Sequence, residues 1–189
     1  MALRHAVLAA LLDGEFSGYQ LAKAFDAGVA NFWHALPQQL YAELTKLEAD
    51  GLVAGRQVIQ ETRPNKRLFH VTDEGLAELE RFAANAAKPS FIRDDLLVKV
   101  QAVDRIAAAP VIEQLTARAR TAAAKAEILE QLAVRLRGGR DEAEFLARGS
   151  RLGPYLTCLR GLAFERETHD WCERSAAALR ARYDDGEQP

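Results

Sequence analysis

A mainly α fold in two parts is predicted by three features of the 189-residue chain. Apolar residues recur at helical spacing along most of its length. That period breaks once, between Leu52 and Thr72, where strand-forming residues flank a turn signal. Beyond Lys88-Pro89-Ser90 no strand signal returns, and one long segment alternates apolar steps of three and four without error.

Each element has its own signals. Leu3, Val7, Ala10 and Leu11 define a first helix that Asp13-Gly14 stops. Ser17-Gly18-Tyr19-Gln20 has the form of a capping box, so a second helix opens there and turns Leu21, Ala22 and Phe25 inward. Gly28 and the pair Phe32-Trp33 lead to Pro37, a residue suited to a first helical turn. A third helix runs from Pro37 to Asp50, buries Leu40, Leu44 and Leu47, and meets Gly51 as a left-handed cap. Two strands, one within Leu52 to Glu61 and one within Lys66 to Thr72, form a hairpin around Arg63-Pro64-Asn65. Thr72 caps a fourth helix from Asp73 to Ala87, with Leu76, Leu79 and Phe82 on one face.

The second part is helical throughout. A short amphipathic helix from Asp94 to Ala107 carries Leu96, Leu97, Val100 and Val103. A long helix opens at Pro110 and ends at Gly138-Gly139. Ile112, Leu115, Ala119, Ala122, Ala126, Leu129, Ala133 and Leu136 form its seam, which has coiled-coil spacing. A last helix, Pro154 to Tyr183, carries Leu152, Leu156, Leu159 and Ala163 on one face, with Phe164 and Trp171 on a neighbouring one. The expected domains are 1–88 and 89–189.

Composition narrows the function classes. With 49% hydrophobic and 28% charged residues the chain is an ordinary globular mix. The net charge of −2 provides no global basic field, so any nucleic-acid contact must come from a local patch. Cys158 and Cys172 lack metal-ligand spacing, and both are expected to be buried helix residues. The four histidines are scattered, and the nucleotide-loop and nucleophile-elbow motifs are absent. No metal, cofactor or enzymatic activity is expected. No apolar run is long enough to span a bilayer, and the N-terminus lacks a signal-peptide profile, so a cytoplasmic protein without membrane contact is expected.

Three helices, a hairpin and a fourth helix follow winged helix-turn-helix order. In that geometry the third helix enters the major groove of DNA and the wing reaches the flanking backbone. The polar face of the third helix comprises Gln38, Gln39, Tyr41, Ala42, Glu43, Thr45 and Lys46. Glutamine can bond adenine N6 and N7 together. The wing gathers Arg63, Asn65, Lys66 and Arg67, with Arg56 nearby and only Glu61 opposing. Trp33 and Trp171 fit a core or interface place, or a stacking platform for a flat apolar effector. A winged-helix module that binds protein instead of DNA is the competing reading, compatible with the low net charge.

Ser17-Gly18-Tyr19-Gln20-Leu21, then Leu40-Tyr41, Leu44, Leu47-Glu48 and Asp50-Gly51-Leu52, resemble the second and third helices of PadR-family bacterial regulators. Arg67-Leu68-Phe69-His70-Val71-Thr72-Asp73-Glu74-Gly75 resembles that family's wing strand and following helix start. The second part resembles the helical extension of the longer subfamily, chiefly through helix layout and Trp171. The resemblance implies a homodimer with helices crossing between protomers, repression, and release by a small aromatic or apolar effector. It implies Tyr41 at the DNA surface, and Ser17 and Tyr19 join that set. Leu115, Ala119, Ala122, Leu129, Leu156 and Leu159 are the expected dimer contacts. Ala42 stands where the family commonly has proline, Gln38 and Gln39 replace small polar residues, and Phe69 lacks the hydroxyl of the usual wing aromatic.

Overall fold

The computed structural model describes residues 2–29, 32–59, 65–87, 89 and 92–183. The chain divides into two compact units between residues 88 and 89. The fold class is the one the sequence predicts.

The first unit holds α1 (Ala2–Leu11), α2 (Gly18–Gly28), α3 (Pro37–Ala49), β1 (Val53–Val58), β2 (Lys66–Val71) and α4 (Asp73–Ala83). Val7, Leu8 and Leu11 of α1, Leu21 and Phe25 of α2, and Leu40, Leu44 and Leu47 of α3 close one core with Ala35, Leu52 and Val53. Each buried leucine contributes about 2 kcal/mol of transfer free energy, so this small cluster carries the unit. The capping box at α2 forms: Gln20 N–H donates to Ser17 Oγ at 3.3 Å and Ser17 N–H to Gln20 Oε1 at 3.0 Å. Gly51 sits at φ +73°, in the left-handed region where a glycine ends a helix at no steric penalty.

The strands pair antiparallel, Val53 opposite Val71 and Val58 opposite Lys66. Phe16 adds a bridge that the sequence does not announce. Its N–H donates to Phe69 O at 3.0 Å, and Phe69 N–H donates to Phe16 O at 2.8 Å. The hairpin therefore has a third backbone partner just before α2. Arg63 and Pro64 of the expected turn lie outside the described residues.

Helix α4 stops four residues before the expected Ala87. Asn85 Nδ2 donates to Arg81 O at 2.7 Å and satisfies a terminal carbonyl, which outweighs the helix preference of the following alanines. Only Leu79 of its expected apolar face packs against the core, whereas Leu76 and Phe82 are exposed, Phe82 lying flat against the His5 ring. The residue α4 buries is Gly75, where a Cβ would lie 2.2 Å from Leu52 O. Thr72 Oγ1 ties this corner by donating to Gly51 O and accepting from Gly75 N–H.

The second unit holds α5 (Asp95–Gln101), a 3-10 turn (Val103–Arg105), α6 (Ala109–Arg137), α7 (Glu142–Arg148) and α8 (Leu152–Tyr183). The expected helix to Ala107 breaks after Gln101. The 3-10 turn buries Val103 and leaves Asp104 where the Tyr183 hydroxyl donates to it at 2.8 Å. Leu97 is exposed. Helix α7 has no counterpart in the sequence reading, being too short to display a period. Asp141 caps it and Phe145 anchors it, edge-on to the Tyr155 ring.

Helices α6 and α8 run antiparallel. His169 Nδ1 meets Ala119 O at 3.1 Å near one end, and Cys158 Sγ donates to Leu129 O at 3.2 Å nearer the other. The seam of α6 is buried at Ile112, Leu115, Ala119, Ala122, Leu129 and Ala133. On α8 the inward stripe differs from the expected one: it is Tyr155, Cys158, Gly161, Leu162, Cys172 and Ala176. Leu152, Leu156 and Ala163 are exposed and Leu159 is half-buried. Alanines on α6 bring the helices close, and the space between them suits a thiol or small residue better than a leucine. No helix among the described residues is long and apolar enough to cross a membrane.

Candidate nucleic-acid interface

Helix α3 separates its faces cleanly. Leu40, Leu44 and Leu47 point into the core, while Gln38, Gln39, Tyr41, Ala42, Thr45 and Lys46 are exposed and Glu43 is half-buried. The two glutamines are not equivalent. Gln39 Oε1 accepts the Leu36 N–H at 2.8 Å and closes the start of the helix. Gln38 has no intramolecular partner among the described residues and keeps both amide atoms open. Thr45 Oγ1 donates to Tyr41 O at 3.2 Å, and Lys46 Nζ lies 3.9 Å from Glu43.

Tyr41 also sets the angle between α2 and α3. A Cβ on Gly18 would stand 2.4 Å from Tyr41 Cε1, so the ring lies against bare backbone at the first turn of α2. This contact accounts for glycine between Ser17 and Tyr19. Tyr19 itself is open to solvent and Ser17 is half-buried.

The wing is less basic than its sequence implies. Arg56 faces Glu15, its Nε donating to both carboxylate oxygens at 2.8 and 3.0 Å and its Nη2 joining them. This guanidinium holds the Glu15 carboxyl below its ordinary value. Arg67 Nη2 donates to Glu48 Oε1 at 2.7 Å, and the same oxygen accepts Gly55 N–H at 3.0 Å. Glu61 is thus not the sole opposing charge: Glu15 and Glu48 reach the hairpin from before α2 and from α3. A Cβ on Gly55 would lie 2.6 Å from Glu48 Oε1, so this clamp also requires glycine. Among the described residues Lys66 has no such partner, and an open cleft of about 510 Å³ runs past Gly55, Gln57, Asn65, Lys66 and Arg67. Phe69 is half-buried and packs against the core, with the Arg67 guanidinium 5.5 Å above its ring. Arg63 lies outside the described residues.

The remaining expected residues belong to other parts of the chain. Trp33 is 36% exposed, and Trp171 packs half-buried against the core of the second unit. Leu115, Ala119, Ala122 and Leu129 are closed against α8 of the same chain, which leaves Leu156 exposed and Leu159 half-buried. Both cysteines are buried, and burial pushes both thiols up. Among the described residues no group of three or more His, Cys, Asp or Glu side chains could hold a metal ion.

A three-helix core, a hairpin braced on the third helix and an open polar face on that helix define a winged-helix transcriptional regulator. Comparison with known proteins narrows the class. Residues 7–81 match the transcriptional regulator PadR-like family, and residues 92–180 match the virulence activator alpha C-terminal family. The chain is 30% identical to "Probable transcriptional regulator Rv1176c" of Mycobacterium tuberculosis, across 96% of this chain and all of that one. Among solved structures it is similar to Bacillus subtilis PadR in complex with operator DNA, with TM-score 0.76, 26% identity, and coverage of 95% of this chain and 99% of that one. It is also similar to Bacillus subtilis PadR in complex with p-coumaric acid, with TM-score 0.70, 25% identity and coverage of 94% of each chain. The protein belongs to the PadR family of transcriptional regulators.

Proposed function

We propose that this regulator is a dimeric repressor that reads an operator with two copies of α3 and is released by a small effector. The observation that carries the reading is the divided face of α3, apolar residues in the core and Gln38, Tyr41, Ala42, Thr45 and Lys46 open. A helix so presented enters the major groove with its N-terminal residues on base edges. Gln38, with both amide atoms open, is the residue to bond adenine. Gln39 holds the helix start, while Ser17, Tyr19, Asn65, Lys66 and Arg67 flank the groove and contact backbone. Arg63, at the expected wing turn, joins them. The operator complex of the Bacillus relative supports the DNA partner.

Residues 1–88 bind DNA and residues 89–189 carry dimerisation and effector binding. The α6 seam is closed within the chain, so a second copy meets the outer faces: Leu156 at 49% exposure, half-buried Leu159, and Ile128 at 60%. Two-fold symmetry would then place two α3 helices about one DNA turn apart. The p-coumaric acid complex of the relative supports a small effector, with Trp33 and Trp171 as the aromatic candidates for it. An effector releases DNA only by binding one arrangement of the dimer more tightly than the other. The protein acts in the cytoplasm and has no catalytic role.

Fluorescence anisotropy on the DNA flanking the protein's own gene tests the reading. Specific binding tighter than about 1 μM, weakening steeply with salt, is expected. Binding that is equal on scrambled DNA, or absent, overturns it.

A further inference from the structure

We propose that the N-terminal half of α6 and the end of α8 form a binding site for a small organic monocarboxylate. An open cleft of about 580 Å³ is lined there by Ala109, Ile112, Glu113, Thr116, Ala117, Arg120 and Arg180. Its α6 residues fall at helical steps of three and four, so they make one continuous strip. Arg180 reaches that strip from α8.

Thr116 fixes the arginine. Its Oγ1 donates to Ile112 O at 2.8 Å, so the single hydroxyl proton is used and the oxygen lone pair faces outward. Arg180 Nη2 donates to that oxygen at 2.6 Å. Among the described residues no carboxylate pairs with Arg180 or with Arg120, although many other Arg, Lys and His residues find one, among them Arg4, His5, Arg56, Arg67, Arg81, Arg118, Lys125, Arg166 and Arg182. A half-buried guanidinium held by a neutral hydroxyl keeps most of its donors for a planar, bidentate acceptor, and a carboxylate fits that geometry.

The rest of the lining sets the ligand's class. Two arginines against Glu113 leave one net positive charge, which matches a monoanion and disfavours a dianion. Ala109, Ile112 and Ala117 offer an apolar strip for the body of the molecule. The site lies within the second unit and does not depend on DNA binding, so it adds a place and a chemical class to the effector reading without resting on it.

Isothermal titration calorimetry on the full chain tests the site with sodium benzoate, sodium octanoate, benzamide and inorganic phosphate. At least one carboxylate should saturate a single site per chain, with benzamide and phosphate at least about tenfold weaker. The double variant R120Q/R180Q, its helix content checked by circular dichroism, should weaken that carboxylate at least about tenfold. T116V should weaken it less, because the arginine remains but loses its brace. No saturable heat from either carboxylate up to about 10 mM overturns the proposal. So does unchanged binding in R120Q/R180Q, which would place the ligand elsewhere. Equal binding of phosphate and carboxylate overturns it as well, since that is a bare anion site. A wild-type dimer that R120Q/R180Q dissociates, with no carboxylate binding, would assign the cleft to a second copy instead.

Discussion

The ring of Tyr41 occupies the space where Gly18 lacks a Cβ, with 2.4 Å between the built Cβ position and Tyr41 Cε1. One contact thereby fixes the approach of α2 to α3 and holds an exposed aromatic of α3 in place. Gly18→Ala should force the ring away, at about 1–3 kcal/mol of stability. It should also weaken operator binding. In a Tyr41→Ala background the same change should be nearly neutral, because the first turn of a helix accepts alanine well. A double-mutant cycle on thermal melts and anisotropy separates the two. Additive effects would show that Gly18 and Tyr41 do not communicate.

The parts that sequence reveals are those encoded locally. Ser17 and Gln20, and Thr72 and Gly75, are three residues apart, and Pro37 and Gly51 each mark a helix end by residue type alone, so caps and helix ends are visible in the chain. Leu40, Leu44 and Leu47 show their face by period alone. The electrostatics of the wing are not local: Glu15 and Arg56 are 41 residues apart, and Glu48 and Arg67 are 19 apart. No pattern announces either pair, so the wing reads as more basic than it is. The inner face of α8 was hidden for another reason. Leu152, Leu156 and Leu159 are the more apolar row, but the close approach of α6 favours Cys158, Cys172 and Ala176 at the contact.

Asp94 should give the second unit an acid-sensitive element. The Arg118 guanidinium beside it, and then the Leu96 N–H it caps, hold its carboxyl below the ordinary value despite some opposing burial. A folded-state value below the unfolded one stabilises the fold above the unfolded value of about 4, and that contribution disappears as pH falls through the folded value. Asp94→Asn keeps a capping side chain and removes the charge. Urea unfolding should find the variant weaker by no more than about 1 kcal/mol at neutral pH, since the pair is partly exposed. The difference should vanish in acid, below the Asp94 value. A difference that persists there would trace to packing instead of charge.

Cys158 and Cys172 should be inert in the folded protein. Both are buried, Cys158 bonds a backbone carbonyl of α6, and burial raises both thiols away from the reactive thiolate. A thiol-reactive chromophore at mildly alkaline pH should label neither on the timescale that labels both in urea. Rapid labelling of one in native buffer would show that the α6–α8 contact opens locally.

Glu48 should decide how much of the wing's charge DNA can use. Its carboxylate holds Arg67 and the Gly55 amide together, so Arg67 reaches a phosphate only by sharing or leaving that pair. Among the described residues no carboxylate restrains Lys66 in this way. Each cation that neutralises a phosphate adds about 0.9 to the slope of log affinity against log salt. Lys66→Ala should therefore lower the slope by about that amount, and Arg67→Ala by less. Glu48→Gln keeps an acceptor for Gly55 and removes the competing charge, so it should steepen the slope by up to about 0.9 and tighten binding at low salt. Anisotropy titrations at several salt concentrations measure all three. If Arg67→Ala flattened the slope as much as Lys66→Ala and Glu48→Gln left it unchanged, Arg67 would be fully committed to phosphate and the Glu48 clamp would belong to the DNA-free protein alone.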